Sequence, residues 1–182
     1  MIVVIVIALM TVGYSFVTAG FSYELQYKLK MPELNTEVKA AVDSAVVAER
    51  IQSGIISPKN LMDFTNEFVA DRLKYEYSVS VKEPNLAWRV RKVNCTGYSA
   101  LQVAVLNYFF REYKGLIPNE LHAEWHSSKV FLFGFWLGNI SPKIGYHAYP
   151  VVFDTQDVKY FPDACFKDIT LGLDGYIVRK EN

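Results

Sequence analysis

From Ala100 to Tyr113 the chain reads as a helix that is apolar on most of its sides, with Ala100, Leu101, Val103, Ala104, Val105, Leu106, Phe109 and Phe110 leaving little polar face. A helix apolar nearly all round has to be buried. The chain has 182 residues, room for one domain with a proper core, so this helix is expected at its centre. The residues leading into it, Asn94-Cys95-Thr96-Gly97-Tyr98-Ser99, put a cysteine at the helix mouth. A thiol there faces unpaired backbone N–H groups and the positive end of the helix dipole. Both favour the thiolate, which is the nucleophile. Asn94 is a good cap residue, and Gly97 allows close approach of another backbone or a substrate. The bland alternative is that the cysteine is a small buried hydrophobe, as free cysteines often are.

The rest of the chain is organised around that segment. Glu37 to Gln52 has Val38, Val42, Ala45 and Ile51 near one stripe, with Gly54 as a stop, and is expected to be helical. Ser57-Pro58 opens a second helix, serine capping it and proline suiting its first position. Leu61, Phe64, Phe68 and Tyr75 recur through it at about helical spacing. Pro84 is expected to break the following segment, and Trp88 to Lys92 to run extended into Cys95. The central helix should end near Lys114-Gly115, with glycine as C-cap. Val130 to Leu137 and His147 to Phe153 read as strands, and Val158 to Phe161 and Tyr176 to Arg179 as shorter ones. Helices first and strands after give an α+β fold. Residues 36–182 are expected to form one domain, with 21–35 as a linker.

The N-terminus is of another kind. Met1 to Gly20 has no charged side chain, and Ile2 to Met10 is continuously apolar. Such a span is the length of a bilayer crossing, and Val17-Thr18-Ala19 puts small residues where a signal peptidase would read them. The segment is expected to be a signal peptide or a membrane anchor. The domain would then be extracytoplasmic: secreted, periplasmic or held at a membrane through residues 1–20. That compartment would permit a Cys95–Cys165 disulfide. Nineteen basic residues balance nineteen acidic ones, which gives no electrostatic case for nucleic acid as a partner.

Nucleophilic catalysis needs a base for the thiol and a group to orient that base. His147 is the strand-borne histidine. His122 and His126, four apart, could meet on one helix face, but the HExxH pattern is absent and no third ligand is evident, so no metal is expected. The acid follows from strand geometry. Asp154 lies seven residues along the same strand, roughly 23 Å from His147 at ~3.3 Å per residue. Asp157 stays at the far end of the turn. A return strand brings Asp163 back, on the face of His147 if the connection has an odd length, such as three residues at 155–157. Cys165 is expected to be a small buried side chain beside Phe166.

Three pieces carry a resemblance: Cys95-Thr96-Gly97-Tyr98-Ser99 leading into a long helix, His147-Ala148-Tyr149 opening a strand, and Tyr160-Phe161-Pro162-Asp163 on the next. In this order, with sixteen residues from His147 to Asp163, they resemble the transglutaminase-like core of the papain-like cysteine hydrolases and acyltransferases over about residues 58–165. Val93 stands where the family usually has glycine, Ala164 replaces a common proline, and Pro150 interrupts the histidine strand. The resemblance implies a Cys-bearing helix packed on an antiparallel β-sheet and a Cys95–His147–Asp163 triad. It implies a peptide or protein substrate, attack on a peptide or amide bond through a thioester, and no cofactor. The Cys95 backbone N–H, Trp88 and Asn94 are the candidate oxyanion donors. With an amine as acceptor the same site would be a protein-glutamine acyl transferase, and with water acting on a glutamine side chain it would be a deamidase. The remaining alternative is a non-catalytic, membrane-anchored binding domain.

Overall fold

A computed structural model describes residues 21–48, 56–117, 120–141, 145–155, 159–165 and 177–179. The expected signal or anchor segment at 1–20, the stop at Gly54 and the aspartate at 157 lie outside the described residues. Among the described residues no helix is long and apolar enough to cross a membrane. The architecture is mixed α+β. Strand β1 (Phe21–Leu29) comes first. Helices α1 (Thr36–Ala48) and α2 (Pro58–Arg72) follow, then the two-residue strand β2 (Lys74–Tyr75), helix α3 (Pro84–Val90), strand β3 (Lys92–Val93) and helix α4 (Cys95–Glu112). The C-terminal half holds β4 (Leu121–Leu132), β5 (Phe135–Trp136), β6 (Tyr146–Asp154), β7 (Lys159–Phe161) and β8 (Ile177–Arg179). The main sheet runs β1-β4-β6-β7-β8, with β5 paired to β4, while β2 and β3 form a small parallel pair.

The described chain divides into two compact units, one of residues 21–27 with 127–147, the other of 28–126 with 148–182. Among the described residues, the larger unit holds all four α-helices. Helix α1 presents Val38, Val42 and Val46, one turn apart and fully buried, and starts where Asn35 Oδ1 accepts the Val38 N–H at 3.0 Å. Helix α2 begins as expected, with Ser57 Oγ accepting the Asn60 N–H at 3.2 Å and Pro58 in the first turn. It buries Leu61, Met62, Phe64 and Val69. Helix α4 is the centre, with every residue from Gly97 to Leu106 buried. Asn107 ties it to the sheet: its side chain accepts the Ala123 N–H at 2.9 Å and donates to the Ala123 carbonyl at 2.8 Å. Ala123 and Trp125 of β4 and Ala148 and Val152 of β6 join the same core.

Several expectations change. Phe21–Leu29, expected as linker, is a strand, and Phe21, Tyr23, Leu25, Tyr27 and Leu29 alternate with polar residues at the strand period. Pro84 starts a helix instead of breaking one. It takes the first turn of α3, where its missing N–H costs nothing, and the Glu83 carboxylate caps the Asn85 and Leu86 N–H groups. Trp88 to Val90 are therefore helical, and a left-handed Arg91 (φ 65°) ends the turn. The C-cap of α4 is Tyr113, φ −111°, not Gly115, which lies in a 3-10 turn.

In the smaller unit, Phe131 to Trp136 is a hairpin and not one strand. Leu132 pairs with Phe135 across Phe133 (φ 48°) and Gly134 (φ 82°). Positive φ at both loop positions is what a tight two-residue turn demands.

Candidate functional site

Cys95 is the first residue of α4. Neither Cys95, which is half-buried, nor Cys165, which is buried, is in a disulfide. The cap is built by Asn94, whose Oδ1 accepts the Thr96 N–H at 3.0 Å. Its carbonyl takes the N–H groups of Gly97 and Tyr98 at 3.0 and 3.2 Å. Ser99 Oγ donates to the Cys95 carbonyl at 2.8 Å, and Trp125 Nε1 reaches the Thr96 carbonyl from β4 at 3.4 Å. Gly97 is required by space: a Cβ there would lie 2.6 Å from Val93 Cβ. This close approach is of a neighbouring side chain, whereas the sequence suggested a backbone or substrate.

Asp163 lies two residues beyond β7, just before the helical turn at Ala164–Cys165. The register of β6 on β7, Val152 opposite Tyr160 and Phe153 opposite Lys159, has the parity of a three-residue connection at 155–157. The count ends at Phe161, short of Asp163. What holds the Asp163 segment is α4 itself, because Gln102 Oε1 accepts the Ala164 N–H at 3.1 Å. Cys95, Asp163 and Cys165 belong to the larger unit. His147 belongs to the smaller one, where it is half-buried near the start of β6.

Of the candidate side-chain oxyanion donors, Trp88 is already committed and Asn94 is committed in part. The only side-chain donor of Trp88, Nε1, donates to Glu37 Oε1 at 2.8 Å. The Asn94 amide spends its oxygen on the cap and directs its nitrogen to the Tyr77 carbonyl at 3.4 Å. Trp88 also carries the Arg72 guanidinium on its face at 3.8 Å and stacks on Phe68 at 5.7 Å. A cavity of about 280 Å³ beside this stack is lined by Ala45, Phe64, Glu67, Phe68, Asp71, Arg72 and Trp88, and Cys95 is not in its wall.

His122 and His126 lie on strand β4 rather than on a helix, and even spacing puts them on one strand face. His122 stacks on Phe153 at 4.9 Å, and His126 meets the Glu124 carboxylate at 3.0 Å. Burial lowers the His126 pKa, and the Glu124 contact opposes this only in part. Among the described residues no three His, Cys, Asp or Glu side chains gather as a metal-binding group.

Helical spacing alone would make Tyr75 the last apolar position of α2. The helix ends at Arg72, and Tyr75 instead pairs with Val93 in the β2–β3 ribbon. Its phenol is pushed up to about 12 by burial first, then by the neighbouring Cys95 and Cys165. The larger unit therefore brings Tyr75 and both thiols into one neighbourhood. Compared with protein-family models, with curated proteins and with solved structures, the chain gives no match.

Proposed function

We propose that this chain is an extracytoplasmic, transglutaminase-like cysteine hydrolase that attacks a peptide or amide bond in a peptide or protein substrate. The observation that carries this reading is Cys95: a half-buried thiol outside any disulfide, on the first residue of a buried helix, with the cap closed by Asn94. Such a position favours the thiolate. In the proposed reaction His147 takes the Cys95 proton, and Sγ attacks the carbonyl carbon. His147 then protonates the leaving amine, and water hydrolyses the thioester. Asp163 holds the imidazole tautomer and stabilises the imidazolium. Asn94 already takes the N–H groups of Thr96, Gly97 and Tyr98, so the backbone donor assigned to the oxyanion is that of Cys95.

The test is incubation of the full chain with a glutamine-containing protein and a labelled primary amine. Release of ammonia or of new amino termini in a Cys95-dependent way is the expected result. Cys95-dependent incorporation of the amine would make the enzyme a transferase. Absence of all three from the wild type, with the domain folded, would leave a non-catalytic binding domain.

A further inference from the structure

The ribbon after α2 wraps the approach to Cys95. The Lys74 N–H donates to the Arg91 carbonyl at 2.7 Å, that of Glu76 to Val93 at 2.9 Å, and that of Asn94 to Val79 at 2.8 Å. Within it Tyr75 lies in register with Val93, and residues in register project to the same side of a sheet. The direction of Val93 is fixed, because its side chain fills the space over Gly97. Tyr75 is therefore presented toward the first turn of α4. The electrostatic influence of Cys95 and Cys165 on its phenol agrees with that placement. At 37% exposure the ring is also within reach of a molecule arriving from solvent. A phenol that keeps its proton through neutral pH is a neutral O–H donor. It lies on the strand paired to the approach to the candidate nucleophile, where Trp88 spends its one side-chain N–H on Glu37.

We propose that Tyr75 is a catalytic residue of the Cys95 site, its O–H donating to the oxygen that becomes negative when the thiolate adds to a carbonyl. The proposal rests on the cysteine-hydrolase reading above. As the Sγ–C bond forms, the carbonyl π pair moves onto oxygen, and Tyr75 donates a hydrogen bond to it without giving up the proton. When the π bond re-forms, the C–N bond breaks and the amine leaves with the proton held by His147. A donor aimed at that oxygen acts only on steps that create the oxyanion.

Two probes of Cys95 separate this role from a structural one. Acetylation by p-nitrophenyl acetate forms the oxyanion and releases p-nitrophenolate. Alkylation by iodoacetamide displaces iodide at a saturated carbon and forms none. The expected result is that Tyr75→Phe slows Cys95-dependent p-nitrophenolate release about tenfold or more and changes alkylation by less than about twofold. Tyr77→Phe, on the same ribbon, should alter neither rate. Acetylation of Tyr75→Phe at the wild-type rate would overturn the assignment, and so would a parallel fall in both rates, because the residue would then act on the thiol or the fold. A wild type that alkylates at Cys95 but releases no Cys95-dependent p-nitrophenolate would sink the hydrolase reading itself, and the Tyr75 assignment with it.

Discussion

Gln102, fully buried in the middle of the apolar helix α4, accepts the backbone N–H of Ala164 at 3.1 Å. Its amide nitrogen donates to Asn66 of α2. One polar side chain thus joins two helices to the segment that follows β7 and carries Asp163 and Cys165. Replacing it by Met keeps the volume and removes both partners, which leaves the Ala164 N–H and the Asn66 oxygen buried without a mate. Gln102→Met is expected to lower unfolding free energy by about 2–4 kcal/mol, read from the urea midpoint.

Gly97 and Val93 should be energetically coupled. A Cβ at Gly97 meets the Val93 side chain at 2.6 to 3.0 Å, and Val93 is completely buried, so neither group has room to move. Gly97→Ala is expected to cost about 1–3 kcal/mol. Much of that should return in the Gly97→Ala, Val93→Gly double variant, because the second change removes the Val93 Cβ at 2.6 Å together with both methyl groups. Chemical denaturation of the four-member cycle measures it, and strict additivity of the two losses would contradict the contact.

The Asp43 carboxylate accepts the Tyr108 hydroxyl at 3.0 Å and the Tyr113 hydroxyl at 2.7 Å, linking α1 to the end of α4. Burial, and then these hydrogen bonds, push Tyr108 up to about 12 and raise Tyr113 as well. A phenol whose pKa is raised by folding contributes stability that is fully present below the unfolded value and lost as pH rises through the folded one. The urea midpoint should therefore hold up to pH ~10 and fall between there and about 12. The decline should be shallower in a Tyr108→Phe, Tyr113→Phe variant.

His126 works in the opposite direction. Burial lowers its pKa although Glu124 faces it at 3.0 Å, with Lys28 and Lys159 opposing the charged form. Below pH ~6.5 the unfolded chain takes up the proton before the folded one does. Stability is expected to fall as pH drops from that point, and His126→Gln should flatten the urea-midpoint profile there.

The sequence made some elements plain because their signals were local. Ser57-Pro58 marks the start of α2, the all-round apolar run marks α4, and the aromatic and β-branched stretch marks β6. Other signals pointed two ways. Pro84 stops one helix or starts another, and only the Glu83 cap decides for a start. A spacing of four puts His122 and His126 on one face of a helix and equally on one face of a strand. The period-two alternation of β1 is present in the residues, but it directly follows an apolar segment, a position that equally suits a linker. Of the candidate site, Cys95 and its Asn94 cap were legible. Tyr75 was not, because its neighbourhood comes from the pairing of β2 with β3, which joins Tyr75 to Val93 across eighteen positions of sequence. The commitment of Trp88 to Glu37 spans fifty-one positions and leaves no local trace.

The central claim, that Cys95 is an activated nucleophile, is tested most directly by the pH dependence of its alkylation by iodoacetamide in a Cys165→Ala background, where one thiol alone reports. The account predicts half-maximal reactivity at or below pH ~7.5, against about 8.5 for a free cysteine, and a midpoint that rises in His147→Ala. A midpoint at or above about 8.5 that His147→Ala does not move would contradict it.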